Sequence, residues 1–318
     1  MHYDIFNGDA DGIFALHQYR LAHPQADAQR ITGVKRDIKL LTQIKDVENS
    51  VLTVFDVSLD SNRAPLEQLL LAENKIIYFD HHFAGEVPSS LSLTTNINTS
   101  ADTCTSLLVN QHLNNAFPLW AICGAYGDNL HKSAQKLQRE LGLNAQQGQA
   151  LMEVGELFNY NGYGTNLSDL HFHPEALYLA VQSFENPFDF IENGPQLIQL
   201  REGHAEDMAL AMKQKPLHTT GKNRVYFFPN QPWARRISGV FSNLKAREQE
   251  HSAHAIITEN NDKTLRISVR APLSDKKNAE NLCTSFPTGG GRAAAAGINA
   301  LPPEMLDKFL AAFHSTYP

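Results

Sequence analysis

Long apolar runs are missing from this 318-residue chain; none approaches the roughly 20 residues that a bilayer span requires, which excludes a membrane-spanning helix. Cysteine is scarce. Cys104, Cys123 and Cys283 are odd in number, far apart and set among apolar neighbours, so neither a disulfide framework nor a thiolate zinc site is expected, and buried thiols are. There is no internal repeat, and the only biased tract is the short alanine run 293–296. Basic excess is also lacking, with 27 Lys and Arg against 34 Asp and Glu and a net charge of −7. That balance argues against long nucleic acid, which is held through many phosphate contacts. It leaves room for a short anionic substrate, and bound divalent cations would offset part of the acid. The N-terminus has neither the basic start nor the apolar core of a targeting segment, because Asp4, Asp9 and Asp11 come early. A cytoplasmic protein is expected.

What the chain does have is a succession of short apolar runs. Residues 3–6 predict a strand, 7–12 (NGDADG) a turn, and 13–22 an amphipathic helix stopped by Pro24. Further runs at 31–34, 51–57 and 76–79, separated by polar or helical sequence, predict strands alternating with helices and hence a parallel sheet. From 101 to about 157 the pattern is helical, and the stretch 158–174, rich in Asn, Gly and Tyr, predicts a loop. The second half predicts strands at 225–228, 254–258 and 264–270 and helices at 236–248 and 278–285. The expected fold class is α/β: a doubly wound parallel-sheet domain over 1–190, a linker helix over 191–217, and a smaller α/β domain over 218–318.

In parallel sheets ligands gather beyond the carboxyl ends of the strands, where strand order reverses. Three predicted strands end in acid there. Asp9 follows the first, Asp56 closes VLTVFD, and Asp80, His81 and His82 close KIIYFDHH; Asp128, in AICGAYGDNL, is a candidate fourth ligand. Each acid alone would serve as a helix cap or turn former. Together, carboxylates with one or two histidines suit a hard or borderline ion such as Mn²⁺ or Mg²⁺. Water on such an ion ionises readily and attacks phosphorus while the ion neutralises phosphoryl charge, so phosphoester hydrolysis is the implied chemistry. Near the C-terminus, TGGGRAAAAG places Gly289, Gly290, Gly291 and Arg292 in a glycine-rich turn where backbone amides would cradle an anion. Arg292 there and Arg270 in ISVRAP offer guanidinium forks to phosphate. His171 and His173 are set outside the site.

These motifs, FDHH after an apolar strand, NGDADG after the first strand and GGGRAAAAG near the end, resemble those of the DHH phosphoesterase superfamily. The pairing with a glycine-rich C-terminal segment is similar to its DHH-associated-domain branch of RecJ-type and nanoRNase-like enzymes. The resemblance implies a metal position formed by Asp9, Asp56, His81 and Asp128, with Asp80 supporting the histidines, His82 facing substrate, and Asp80, His82 and Asp128 as the catalytic set. It also implies hydrolysis of a phosphoester or phosphodiester bond in a small nucleotide or short oligonucleotide between the two domains.

The sequence departs from the family pattern in two places. At the family's second metal position, where a histidine and an aspartate are expected, stand Tyr3 and Asn7, so one Mn²⁺ or Mg²⁺ is expected unless His2 or Asp11 compensates. Arg292 stands where the motif has histidine, which keeps the positive charge and shifts specificity. The competing reading is a non-catalytic nucleotide-binding or regulatory protein with a degenerate metal site. Oligomeric state stays open, a homodimer included.

Overall fold

Residues 1–318 are described by a computed structural model, in which the chain divides into two units, residues 1–202 and 203–318. The boundary falls inside helix Pro195–Met212.

In the first unit the apolar runs become strands β1 (His2–Phe6), β2 (Gln29–Ile31), β3 (Val51–Phe55), β4 (Lys75–Asp80) and β5 (Leu93–Ile97). They pair in parallel in the order β2-β1-β3-β4-β5. Both faces are covered. Alternating side chains send Phe6, Phe55 and Phe79 into one apolar core, and Tyr3, Ile5, Leu52, Val54, Ile76 and Tyr78 into another. The first core is shared with helices α1 (Ala10–Ala22), α3 (Thr105–His112), α4 (Pro118–Gly127), α5 (His131–Glu140) and α6 (Ala145–Gly162); the second packs under α2 (Arg63–Leu71). The doubly wound α/β expectation therefore holds for this unit. Chain order reverses between β1 and β3, the crevice where ligands of such sheets sit.

Several boundaries differ from those expected. The second strand occupies 29–31 rather than 31–34, and α1 begins at Ala10, three residues early, because Asp9 caps it. The segment 158–174 is not all loop, since α6 runs on through Gly162. Its polar residues are tolerated in the core because they are paired: the Asn161 side chain exchanges two hydrogen bonds with the backbone of Phe172. All three cysteines are buried and free. No helix is long and apolar enough to cross a membrane.

The second unit carries a mixed sheet in the order β10-β11-β9-β8-β7-β6, built from β6 (Pro216–Thr220), β7 (Asn223–Phe228), β8 (His254–Glu259), β9 (Leu265–Arg270), β10 (Gly289–Arg292) and β11 (Ala295–Leu301). Helix Pro232–Glu248 connects the parallel pair β7 and β8, while helices Ala279–Thr284 and Leu306–Thr316 enclose a separate core around Val269, Ile298, Leu282 and Phe309. The glycine-rich segment is corrected by this arrangement. Gly289, Gly290, Gly291 and Arg292 form an edge strand paired with β11 rather than an open turn. Two of the glycines are there for steric reasons. A Cβ on Gly289 would sit 1.8 Å from the Cys283 carbonyl oxygen, and Gly291, at φ +142°, would meet Ala296 at 2.4 Å.

Candidate metal centre

The reversal point between β1 and β3 gathers the acids. Asp9 ends the turn after β1 as the N-cap of α1, its Oδ1 accepting from the amides of Asp11 (3.0 Å) and Gly12 (3.2 Å). Asp56 follows β3 in the left-handed region at φ +58°, a strained conformation that Asp tolerates better than most residues. Its amide bonds back to Phe79, and its Oδ1 accepts from the Thr105 hydroxyl at 3.1 Å, so the carboxylate is aimed rather than free. Asp128 caps the C-terminus of α4, where the helix dipole disfavours a negative charge.

The histidines arrive on the other side. His81 Nε2 lies 3.4 Å from Asp56 Oδ1, 3.8 Å from Asp128 Oδ2 and 4.0 Å from Asp11 Oδ2. Asp80, fully buried at the end of β4, accepts from the His81 amide at 2.9 Å and bonds His82 Nδ1 at 2.7 Å. That contact fixes the His82 ring and leaves Nε2 as its open nitrogen. Asp11 has another employment. Its two oxygens accept from the amides of Thr105 (2.8 Å) and Ser106 (2.7 Å), anchoring the start of α3.

Crowding of buried carboxylates shows in their proton affinities. Burial, reinforced by Asp56, pushes Asp11 up to about 6; burial and Asp9 push Asp56 up to about 6. Asp128 is likewise pushed up to about 6 by burial, although Lys35 opposes the change. Burial would lower His81, but the hydrogen bond to Asp56 and the charges around it outweigh that and raise it to about 10. Negative charge is thus in excess, a condition that divalent metal relieves. The donors fit such an ion: the ligand atoms of Asp56, His81 and His82 lie within 4.8 Å of one another, as do those of Asp11, His81 and Asp128.

Of the residues anticipated here, Asp9, Asp56, Asp80, His81, His82 and Asp128 come together. Tyr3 and Asn7 do not offer ligands. Tyr3 is buried in the core on the other side of the sheet. Asn7 has its amide group committed to the Lys35 carbonyl (3.1 Å) and its oxygen to the Asp9 amide (3.2 Å). His171 bonds the Tyr160 hydroxyl, and His173 accepts from the Glu175 amide at the start of helix Pro174–Val181.

Lys35 was not anticipated. Its Nζ forms an ion pair with Asp9 Oδ2, bonds Asn159 Oδ1 at 2.9 Å, lies 4.0 Å from Asp128 Oδ1 and stands 5.6 Å from the Tyr163 ring centre. No periodicity marks this lysine; only its place just after a short strand hinted at the site.

Arg270, Gly290 and Arg292 lie in the second unit. Arg292 and Arg270 both pair with Ala295 from opposite sides, so all three share one face, the guanidinium-bearing strands standing about 10 Å apart. Arg270 is steadied by Asn243 Oδ1 (3.0 Å) and Ser268 Oγ (3.0 Å). The next row on that face, Gly290, Gly297 and Ser268, is small, and a Cβ on Gly290 would meet nothing within 4 Å.

Neither a protein-family profile nor a curated protein matches the chain. Solved structures do. RecJ from Thermus thermophilus in complex with Mn²⁺ superposes with a TM-score of 0.60 at 14% identity, over 100% of this chain and 52% of that one. An exonuclease RecJ bound to manganese gives 0.57 at 16% identity over 99% and 89% of the two chains. A pGpG-specific phosphodiesterase, PggH, from Vibrio gives 0.56 at 16% identity over 99% and 98%. These neighbours are DHH superfamily members, and the fold is the one to which the three motifs pointed.

Proposed function

We propose that the chain is a divalent-metal-dependent phosphohydrolase that cleaves a phosphoester or phosphodiester bond in a small nucleotide or short oligonucleotide. The observation that carries this reading is the convergence of Asp56, His81 and Asp128 at the reversal point of the sheet, beside a His82 ring held by Asp80. The exonuclease and phosphodiesterase neighbours support it at the level of reaction class.

Asp56, His81 and Asp128 would hold the ion, Mn²⁺ by analogy with the RecJ complexes. When bound, it lowers the pKa of its water towards neutrality and neutralises charge on the phosphoryl oxygens. Asp80 keeps one ring nitrogen of His82 engaged. Burial would lower the His82 pKa, but Asp80 and Asp56 raise it, and Nε2, the nitrogen not engaged by Asp80, is proposed to face the leaving oxygen. Thr105 holds the Asp56 carboxylate in place. In the second unit, Arg270 and Arg292, on one face with the flat Gly290 row, are proposed to grip substrate phosphate.

The engaged Asn7 and buried Tyr3 favour one other reading, a nucleotide-binding protein without turnover. One experiment separates the two. Mn²⁺-dependent hydrolysis is measured on pyrophosphate, adenosine bisphosphate, linear dinucleotides and cyclic dinucleotides, with Asp128→Asn and Asp80→Asn beside the wild type. Turnover that falls by about 10–100-fold in both variants, with circular dichroism unchanged, supports the enzyme. Nucleotide binding without turnover on any of these supports the binding protein.

A further inference from the structure

A lysine of the chain itself stands inside the carboxylate cluster. Asp9 and Asp128 face a common point, and at that point is the Lys35 ammonium, paired with Asp9 and 4.0 Å from Asp128. It is a built position rather than a chance approach. The backbone of Lys35 is clamped on both sides, its carbonyl accepting from Asn7 and its amide donating to the Gly162 carbonyl at 2.9 Å. The head is held by Asn159 and lies over Tyr163. Gly162 has no room for a side chain without crowding Asp9, since a Cβ would stand 3.0 Å from the Asp9 Cβ. Asp9, with one oxygen on the α1 N-terminus and the other on Lys35, has no oxygen left uncommitted.

We propose that the Lys35 ammonium is the resident second cation of this centre, so that the site takes a single divalent ion on Asp56, His81 and Asp128, with Asp9 serving the lysine and not the metal. This rests on the metal reading above. An ammonium is a compact charge with three rotatable donors. After holding Asp9 and Asn159, one donor is left to reach a phosphoryl oxygen, with the charge a second ion would have provided and no dependence on metal supply.

The test is Mn²⁺ stoichiometry and affinity by equilibrium dialysis with elemental analysis, and electron paramagnetic resonance of the bound ions, on the wild type, Lys35→Met, Lys35→Arg, Asp9→Asn and Asp128→Asn. The wild type and Lys35→Arg are expected to bind one ion. Lys35→Met, with Asp9 and Asp128 released, is expected to bind a second and to show the spectrum of a coupled pair. Asp9→Asn, which keeps the helix cap, is expected to hold its single ion within about threefold of wild-type affinity, whereas Asp128→Asn loses at least about tenfold. Two ions in the wild type, an unchanged single ion in a folded Lys35→Met, or loss of the ion in Asp9→Asn would each overturn the inference. Should Lys35→Met not fold, the Asp9→Asn affinity decides alone. The readout is independent of turnover: one ion in the wild type and two in Lys35→Met, without hydrolysis of any phosphate substrate, retains the inference and removes the phosphohydrolase. Hydrolysis by a wild type holding two ions does the reverse, and no ion in any protein removes both.

Discussion

His17 shows how much a single buried ring contributes, and when. It lies in α1, packs edge-on against Trp120 at 4.7 Å, and its Nε2 contacts the Phe184 carbonyl at 2.8 Å. Burial, only partly opposed by that carbonyl, brings its pKa down from 6.5 to about 4. The folded state therefore keeps the ring neutral where the unfolded chain takes up a proton. The contribution of His17 is intact above pH 6.5, declines as pH falls, and is gone below the folded value of about 4. At about pH 5 the loss is roughly 2 kcal/mol. Urea unfolding at neutral pH and near pH 5 should show the wild type losing roughly 2 kcal/mol more on acidification than His17→Gln. The raised carboxylates of the metal centre act with the opposite sign and are common to both proteins, so the difference between the two profiles isolates the histidine. Equal profiles would remove the argument.

Between elements, glycine sets how closely α4 and α6 approach. A Cβ on Gly155 would stand 2.1 Å from the Cys123 carbonyl oxygen and 2.9 Å from the Gly127 amide nitrogen. Alanine gains about 1 kcal/mol of helix propensity at such a site, but overpacking costs about 1–3 kcal/mol and a backbone oxygen cannot rotate away. Sterics win. Gly155→Ala should lower unfolding stability by roughly 1–2 kcal/mol, while Gly290→Ala, which meets open space, should be near neutral. A stabilised Gly155→Ala would show that the helices separate freely. The strands that position the site were legible because β1, β3 and β4 are buried on both faces and read as apolar runs, each followed closely by an acid. β5, with the sequence LTTNI, lies at the sheet edge and has no such run. The tail of α6 was hidden because its Asn and Tyr are satisfied by tertiary partners, and the glycine strand because close packing, not turning, demands two of its glycines. Lys35 is held beside the acids by a hydrogen bond from the Asn7 side chain and one to the Gly162 carbonyl, 28 and 127 residues away in sequence, a relation no local pattern encodes.

For the whole molecule, the net charge of −7 conceals an uneven division. Residues 1–202 carry 12 basic against 24 acidic side chains, −12, and residues 203–318 carry 15 against 10, +5. The overall balance argues against long nucleic acid, yet the unit bearing Arg270 and Arg292 is itself basic, so the net figure alone is a poor guide to how an anion is held. Two arginines on one face, carried by strands about 10 Å apart, suit one or two phosphates rather than a tract. Affinity for a short single-stranded oligonucleotide should accordingly fall with salt at a log–log slope of about −1.4, from about 0.7 per phosphate neutralised. Arg292→Ala should reduce that slope by about 0.7 and weaken binding without regard to base sequence, because phosphate contacts carry none. A slope several times steeper would mean that the basic surface of residues 203–318 tracks a long strand. The substrate would then be an extended chain rather than a dinucleotide, and the acidic total would have misled.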